Sequence, residues 1–130
     1  MSGNTSLYAL VGGETGLRNL VETFYDVIEF EPEGTDLKML HLRGMGVAHS
    51  RIEQFAFLSD FLGGPKLYAE KHGHTNVREM HVHIEIDRKA HDDWLNCMSI
   101  AINRVGLDKD VGKKLMTHFR AVAAGLQNRP

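Results

Sequence analysis

The sequence predicts an all-helical domain, and three observations support this fold class. First, apolar residues recur every three or four positions over most of the chain. Second, proline and glycine interrupt this spacing at a few points where helices would end. Third, 42% of the 130 residues are hydrophobic and 25% are charged, which is an ordinary globular composition. We therefore expect a single domain over residues 1–130.

Four segments have the apolar spacing of amphipathic helices. The first is Gly16–Phe30, for which Thr15 is the expected N-cap. Pro32 and Gly34 follow this segment and predict its end. The later segments are Ala48–Leu62, Arg88–Val105 and Lys109–Gln127, and a shorter apolar stretch covers Leu37–Leu42.

One segment, Met80–Ile86, has a different pattern, because its apolar and polar residues alternate as in a half-buried strand. The polar face of that strand would hold His81, His83 and Glu85. A single strand among four helices has no pairing partner, however. Helical spacing instead puts three residues on one face, namely Val77, His81 and Ile84. The local pattern leaves both interpretations open, and we expect His81 to face the interior from a short helix or turn.

Charge and composition exclude several classes of protein. The formal net charge of −2 gives no reason to expect a nucleic-acid partner. No apolar run approaches the ~20 residues that cross a membrane, and the N-terminus lacks the pattern of a signal peptide. Cys97 is the single cysteine, which fits a reducing, cytoplasmic environment.

Five of the eight histidines fall between His72 and His91, where we expect any special chemistry.

Several short motifs follow one another along the chain in a specific order. They are Gly12-Gly13, Phe24-Tyr25, Gly63-Gly64-Pro65, Gly73-His74 with His81, and Asp93-Trp94-Leu95. In this order and spacing they cover the chain from about Leu7 to Arg129, and together they resemble group II truncated haemoglobins. The resemblance implies a two-over-two helical sandwich around one haem b (iron protoporphyrin IX).

The resemblance also implies roles for individual residues. His81 matches the axial ligand of the haem iron. Five residues match positions on the ligand side of the haem, namely Tyr25, Gln54, Trp94, His41 and Ser50. The expected lining of the pocket is Phe24, Phe57, Leu58, Phe61, Tyr68, Val77, Arg78, Ile84, Met98 and Phe119. Among these, Arg78 falls where a basic side chain can reach a haem propionate.

The sequence departs from the family pattern at three points. Thr75 and His83 both stand where the family often has proline. The loop after His41 is about two residues longer than is usual in the family, which leaves the haem contacts of residues 43–50 open. Whether His41 or Tyr25 binds the iron as a sixth ligand also stays open.

The polar residues of the expected pocket indicate how it would treat a ligand. The Tyr25 hydroxyl, the Gln54 amide and the Trp94 indole N–H are all hydrogen-bond donors. Three donors that converge on a partly negative dioxygen would each stabilise it by ~1–3 kcal/mol in a dry pocket. Slow ligand release is the consequence, and it suits chemistry on the ligand or sensing better than oxygen delivery.

Three functions are compatible with these observations, and we expect the first of them. The first is a five-coordinate haem protein that binds dioxygen, nitric oxide, carbon monoxide, sulfide or peroxide. Such a protein could also turn over nitric oxide or peroxide with a reductase partner. The second is a haem-free metal protein that uses His81, His83 and Glu85. The third is a helical interaction module without a ligand, and the sequence leaves the oligomeric state open in every case.

Overall fold

The computed structural model describes residues 6–43, 47–73 and 86–126, and all regular structure in these ranges is helical. The helices are α1 (Leu7–Leu10), α2 (Gly13–Phe30), a 3₁₀ helix (Pro32–Gly34), α3 (Thr35–Arg43), α4 (Val47–Phe61), α5 (Leu67–His72), α6 (Arg88–Val105) and α7 (Lys109–Leu126). The predicted all-helical class is confirmed. Of the alternating segment 80–86, only Ile86 is described, and it belongs to no helix or strand.

The start of α2 differs from the prediction. Thr15 is exposed within the first turn of the helix and is not its N-cap. Gly12 occupies the N-cap position with a φ of 107°, a left-handed conformation that favours glycine. The helix therefore begins at Gly13, three residues before the first position of the predicted segment.

The other predicted helices agree with the structure closely. Helix α6 has the predicted bounds, and α4 and α7 differ from their predicted ends by one residue. The stretch Leu37–Leu42 is the middle of α3. Asp87 caps α6, because its carboxylate accepts a hydrogen bond of 2.8 Å from the backbone N–H of Ala90.

Helix α2 lies at the centre of the fold and packs against both α4 and α6. Helix α6 in turn packs against α7, and α4 packs against α5. The fully buried side chains of α2 that face these neighbours are Leu17, Leu20, Val21, Phe24, Val27 and Ile28. Because α2 has neighbours on more than one side, a large part of its circumference is apolar.

The N-terminal helix α1 docks on the turn that follows α4. The backbone N–H of Tyr8 donates a 2.9 Å hydrogen bond to the carbonyl of Leu62. The Tyr8 ring lies so close to Gly64 that a Cβ atom at residue 64 would clash with it. Glycine at this position therefore permits the contact that fixes α1 on the end of α4.

Candidate functional site

Two adjacent aromatic residues of α2 form the centre of the candidate site. Phe24 is fully buried and Tyr25 is 2% exposed. Their ring centroids are 4.9 Å apart with an interplanar angle of 79°, which is a favourable edge-to-face geometry. Burial raises the pKa of the Tyr25 phenol, and the nearby positive charge of Arg51 opposes this rise only in part. Tyr25 therefore keeps its hydroxyl hydrogen at physiological pH and remains a donor.

Trp94 on α6 approaches the same phenylalanine. Its ring centroid is 5.2 Å from that of Phe24 and 5.5 Å from that of Phe119 on α7. The indole is half-buried. Phe24 thus has both Tyr25 and Trp94 as ring neighbours, and we call Phe24, Tyr25, Trp94 and Phe119 the aromatic cluster.

A second group of rings lies along α4 and α5. Phe57 stacks on Phe61 at 5.7 Å, and Tyr68 meets Phe57 edge-on at the same distance. Phe61 then reaches Phe119 at 6.3 Å and so joins this group to the aromatic cluster. A continuous set of rings therefore connects α2, α4, α5, α6 and α7.

Two polar residues share a face of α4 with Phe57. Ser50 and Gln54 precede it at helical spacing, and both are half-buried. All fully buried side-chain nitrogen and oxygen atoms in the described part of the chain have a hydrogen-bond partner.

Arg51 on α4 is a further residue of the site that the sequence analysis missed. Its guanidinium donates hydrogen bonds to Asp26 at 2.9 Å, to Glu29 at 3.1 Å and to Glu22. Although burial disfavours its charge, these carboxylates raise the pKa of Arg51. The sequence contained a signal, because the three acids recur at i, i+4 and i+7 along one side of α2 and predict a cationic partner.

The comparisons with known proteins identify the family. Residues 6–128 match the bacterial-like globin family. The chain belongs to this family and is a group II truncated haemoglobin. It is 32% identical over 117 residues to the group 2 truncated hemoglobin YjbI of Bacillus subtilis, which covers 90% of this chain and 85% of that protein.

Solved structures of truncated haemoglobins have the same fold. The group II 2-on-2 hemoglobin of Agrobacterium tumefaciens superposes with a TM-score of 0.90 at 27% identity, covering 99% of this chain and 98% of that one. The truncated oxygen-avid haemoglobin of Bacillus subtilis gives a TM-score of 0.84 at 32% identity, covering 95% of this chain and 100% of that one. The resemblance and the predicted two-over-two helical sandwich are both confirmed.

Membership of the globin family implies a haem cofactor, and the described residues of this truncated haemoglobin fit one. The rings of Phe57, Phe61, Tyr68 and Phe119 offer the apolar surface that a flat macrocycle needs. Tyr25, Gln54 and Trp94 supply neutral donors rather than charges. The described ranges contain no group of three or more histidine, cysteine and acidic residues that could hold a metal ion, and the alternative metal site of His81, His83 and Glu85 lies outside those ranges.

The remaining predicted pocket residues of this truncated haemoglobin divide into two sets. Leu58 and Met98 are buried at 1% and 0% exposure. Cys97, beside Met98, is also fully buried, as expected for a core residue, and its thiol lies 3.5 Å from the carbonyl oxygen of Glu33. The second set lies outside the described residues and comprises Val77, Arg78 and Ile84. The predicted axial ligand His81, the alternative metal-site residues His83 and Glu85, and the side chain of His41 also lie outside them.

Within the described residues, none of the helices is both long enough and apolar enough to cross a membrane.

Proposed function

We propose that this truncated haemoglobin binds haem b through His81 and holds dioxygen and related small ligands with high affinity. The related ligands are nitric oxide, carbon monoxide, sulfide and peroxide. The observation that carries this proposal is the arrangement around Phe24, whose ring centroid lies 4.9 Å from that of Tyr25 and 5.2 Å from that of Trp94. Two potential donors are thereby brought to one part of the pocket, although they come from different helices.

His81 is the proposed axial ligand because of its match to the family motif. A neutral imidazole binds iron through one nitrogen, and its other ring nitrogen donates a hydrogen bond that fixes the ring orientation. When bound, a haem iron with one such ligand supplies an open coordination position for a small molecule.

Tyr25 and Trp94 are the proposed donors to that small molecule. The raised pKa keeps the Tyr25 phenol neutral, so its hydroxyl donates rather than repels a ligand with anionic character. The indole N–H of Trp94 can only donate, and the Gln54 amide is the third proposed donor, with Ser50 and His41 nearby in the family pattern. Each such hydrogen bond contributes about 1–3 kcal/mol when its acceptor carries charge.

The ring groups of the site support high affinity in a second way. Phe57 and Tyr68 are at most 9% exposed, so the proposed haem would lie against apolar rings that are shielded from bulk water. In a dry pocket each donor interacts more strongly with the ligand, because the local dielectric constant is low. The related protein of Bacillus subtilis is described as oxygen-avid, which supports the same property here.

Slow oxygen release suits sensing or redox chemistry on the ligand better than oxygen delivery. Redox turnover of nitric oxide or peroxide would need electrons from a reductase. The free, buried Cys97 supports the proposal that the protein works in the reducing cytoplasm.

The test is the visible absorption spectrum of the purified protein and of two histidine variants. We expect a strong Soret band with one haem per chain in the wild type, loss of stoichiometric haem in His81→Ala, and full retention in the matched control His83→Ala. A spectrum that stays that of free hemin after hemin is added would contradict haem binding. Equal loss of haem in both variants would contradict the choice of His81.

A further inference from the structure

Arg51 is held unusually firmly for a residue near the protein surface. Its guanidinium donates to carboxylates on three successive turns of α2, those of Glu22, Asp26 and Glu29, and also to the backbone carbonyl of Glu22 at 3.2 Å. The arginine side chain is only 18% exposed. Because a planar guanidinium donates in fixed directions, four acceptors together leave it little freedom to move.

The same guanidinium also lies over the Tyr25 ring. Its Cζ atom is 5.7 Å from the ring centroid, within the range of a cation–π interaction. Phe24 contacts the ring edge-to-face at 4.9 Å. Among the contacts of the described residues, the Tyr25 ring packs against Phe24 and lies under the Arg51 guanidinium. That guanidinium is anchored to α2, the helix that carries Tyr25 itself.

Arg51 has more acceptors on α2 than a link between α2 and α4 requires. A single ion pair would join the helices, yet three carboxylates surround one cation, which leaves excess negative charge at this point. The hydrogen bonds to these carboxylates approach the guanidinium from several directions and so fix its position. The position so fixed is above the ring of the proposed donor.

We propose that Arg51 is a positioning residue for Tyr25, so that its removal lets the ring move and speeds ligand release. This inference rests on the proposed function of Tyr25 as a donor. A change in the hydrogen-bond geometry at the hydroxyl, without loss of the hydroxyl itself, gives an expected increase of about fivefold in the oxygen release rate.

The test combines a signal from the ring with a rate. The three tyrosines are replaced biosynthetically with fluorotyrosine, and the Tyr25 resonance is assigned in the fluorine NMR spectrum of the carbon monoxide form by its absence in Tyr25→Phe. Oxygen release is measured by stopped flow on the unlabelled proteins. The variants are Arg51→Met, which keeps an aliphatic stem, and Arg51→Lys, which keeps the charge.

The matched control is Arg104→Met. Arg104 on α6 forms an ion pair of 2.9 Å with Glu31, which follows the end of α2, so its loss removes an arginine–carboxylate contact away from Tyr25. We expect Arg51→Met to shift or broaden the Tyr25 resonance alone and to speed release about fivefold. Arg51→Lys should change the Tyr25 resonance and the release rate less than Arg51→Met does. Arg104→Met should leave both the resonance and the rate as in the wild type.

An unchanged Tyr25 resonance or an unchanged release rate in Arg51→Met would overturn the proposal. If Arg51→Met does not fold, Asp26→Asn replaces it as the test, because Asp26 is an exposed partner of Arg51. We expect it to change the Tyr25 resonance and the oxygen release rate in the same direction but by less. No change in either readout of Asp26→Asn would then overturn it. A wild-type chain without haem would contradict the proposed function, whereas the fluorotyrosine signal of the same chain still tests the contact of Arg51 with Tyr25.

Discussion

The central helix α2 meets its two main neighbours by different physical means. Towards α6 the contact is apolar, and Phe24 packs on Trp94 with complete burial of the phenylalanine. Towards α4 the contact includes Arg51 and its three carboxylates, which are 27% to 53% exposed. Salt screens exposed charges but has little effect on buried rings. Tyr25 therefore lies between two kinds of contact. Apolar packing holds α2 against α6, whereas the ion pairs of Arg51 contribute to the contact of α2 with α4.

The largest effect is expected on the apolar side, for Phe24→Ala. Phe24 is 0% exposed and contacts two other rings, so truncation leaves a cavity and should lower the free energy of unfolding by about 3–5 kcal/mol. Urea unfolding followed by circular dichroism measures the change. The matched control is Phe30→Ala on the same helix, which should have little effect because Phe30 is 74% exposed. Equal losses in both variants would contradict the packing shown here.

On the charged side the expected effect is smaller and depends on salt. Arg51→Met should lower the free energy of unfolding by about 1–2 kcal/mol at low salt, because it leaves three carboxylates close together without their cation. The loss should shrink at high salt, where ions screen the exposed carboxylates. Unfolding of wild type and variant at both salt concentrations measures it. A loss that is the same at both concentrations would mean that packing, not charge, dominates this wall.

The apolar side also predicts a pH dependence. Burial raises the pKa of the Cys97 thiol from 9.0 to about 11, so the folded chain keeps a proton that the unfolded chain releases. The contribution of the protonated Cys97 thiol to the free energy of unfolding is fully present below pH 9 and is lost as the pH rises towards 11. Between about pH 8 and pH 10 the wild type should lose about 1 kcal/mol of unfolding free energy that Cys97→Ala does not lose. Parallel pH profiles of the two proteins would refute this assignment.

Much of this fold follows from the sequence, for identifiable reasons. The end of α2 is fixed locally, since Pro32 and Gly34 interrupt the apolar spacing. Its start was predicted wrongly because Thr15 is a good capping residue by type, whereas the structure uses the left-handed backbone of Gly12. The short helix α5 has only six residues, too few for a clear period of its own.

The site was predictable only in part. Tyr25 and Trp94 were predicted from short motifs of the family. The structure adds that both contact Phe24, and residue spacing within one helix could not predict the contact of Phe24 with Trp94 on another helix. Arg51 was missed because its partners lie 22 to 29 residues earlier. The spacing of the three acids on α2 predicts a cationic partner, but it does not identify the residue that supplies the cation. The prediction that residues 80–86 do not form a strand lies almost wholly outside the described residues and stays a prediction.

The most direct test of the proposed pocket is stopped-flow release of oxygen from the ferrous protein. Tyr25→Phe removes one donor and keeps its ring, and Trp94→Phe removes one donor and replaces the indole with a smaller aromatic ring. Tyr8→Phe removes a hydroxyl from α1 as the matched control. We expect the first two variants to keep their haem and to release oxygen about tenfold faster or more, since each loses a hydrogen bond to a partly charged acceptor. Tyr8→Phe should release it at the wild-type rate. If all three variants keep haem and release oxygen as the wild type does, Tyr25 and Trp94 are structural residues and the pocket does not hold its ligand in the proposed way.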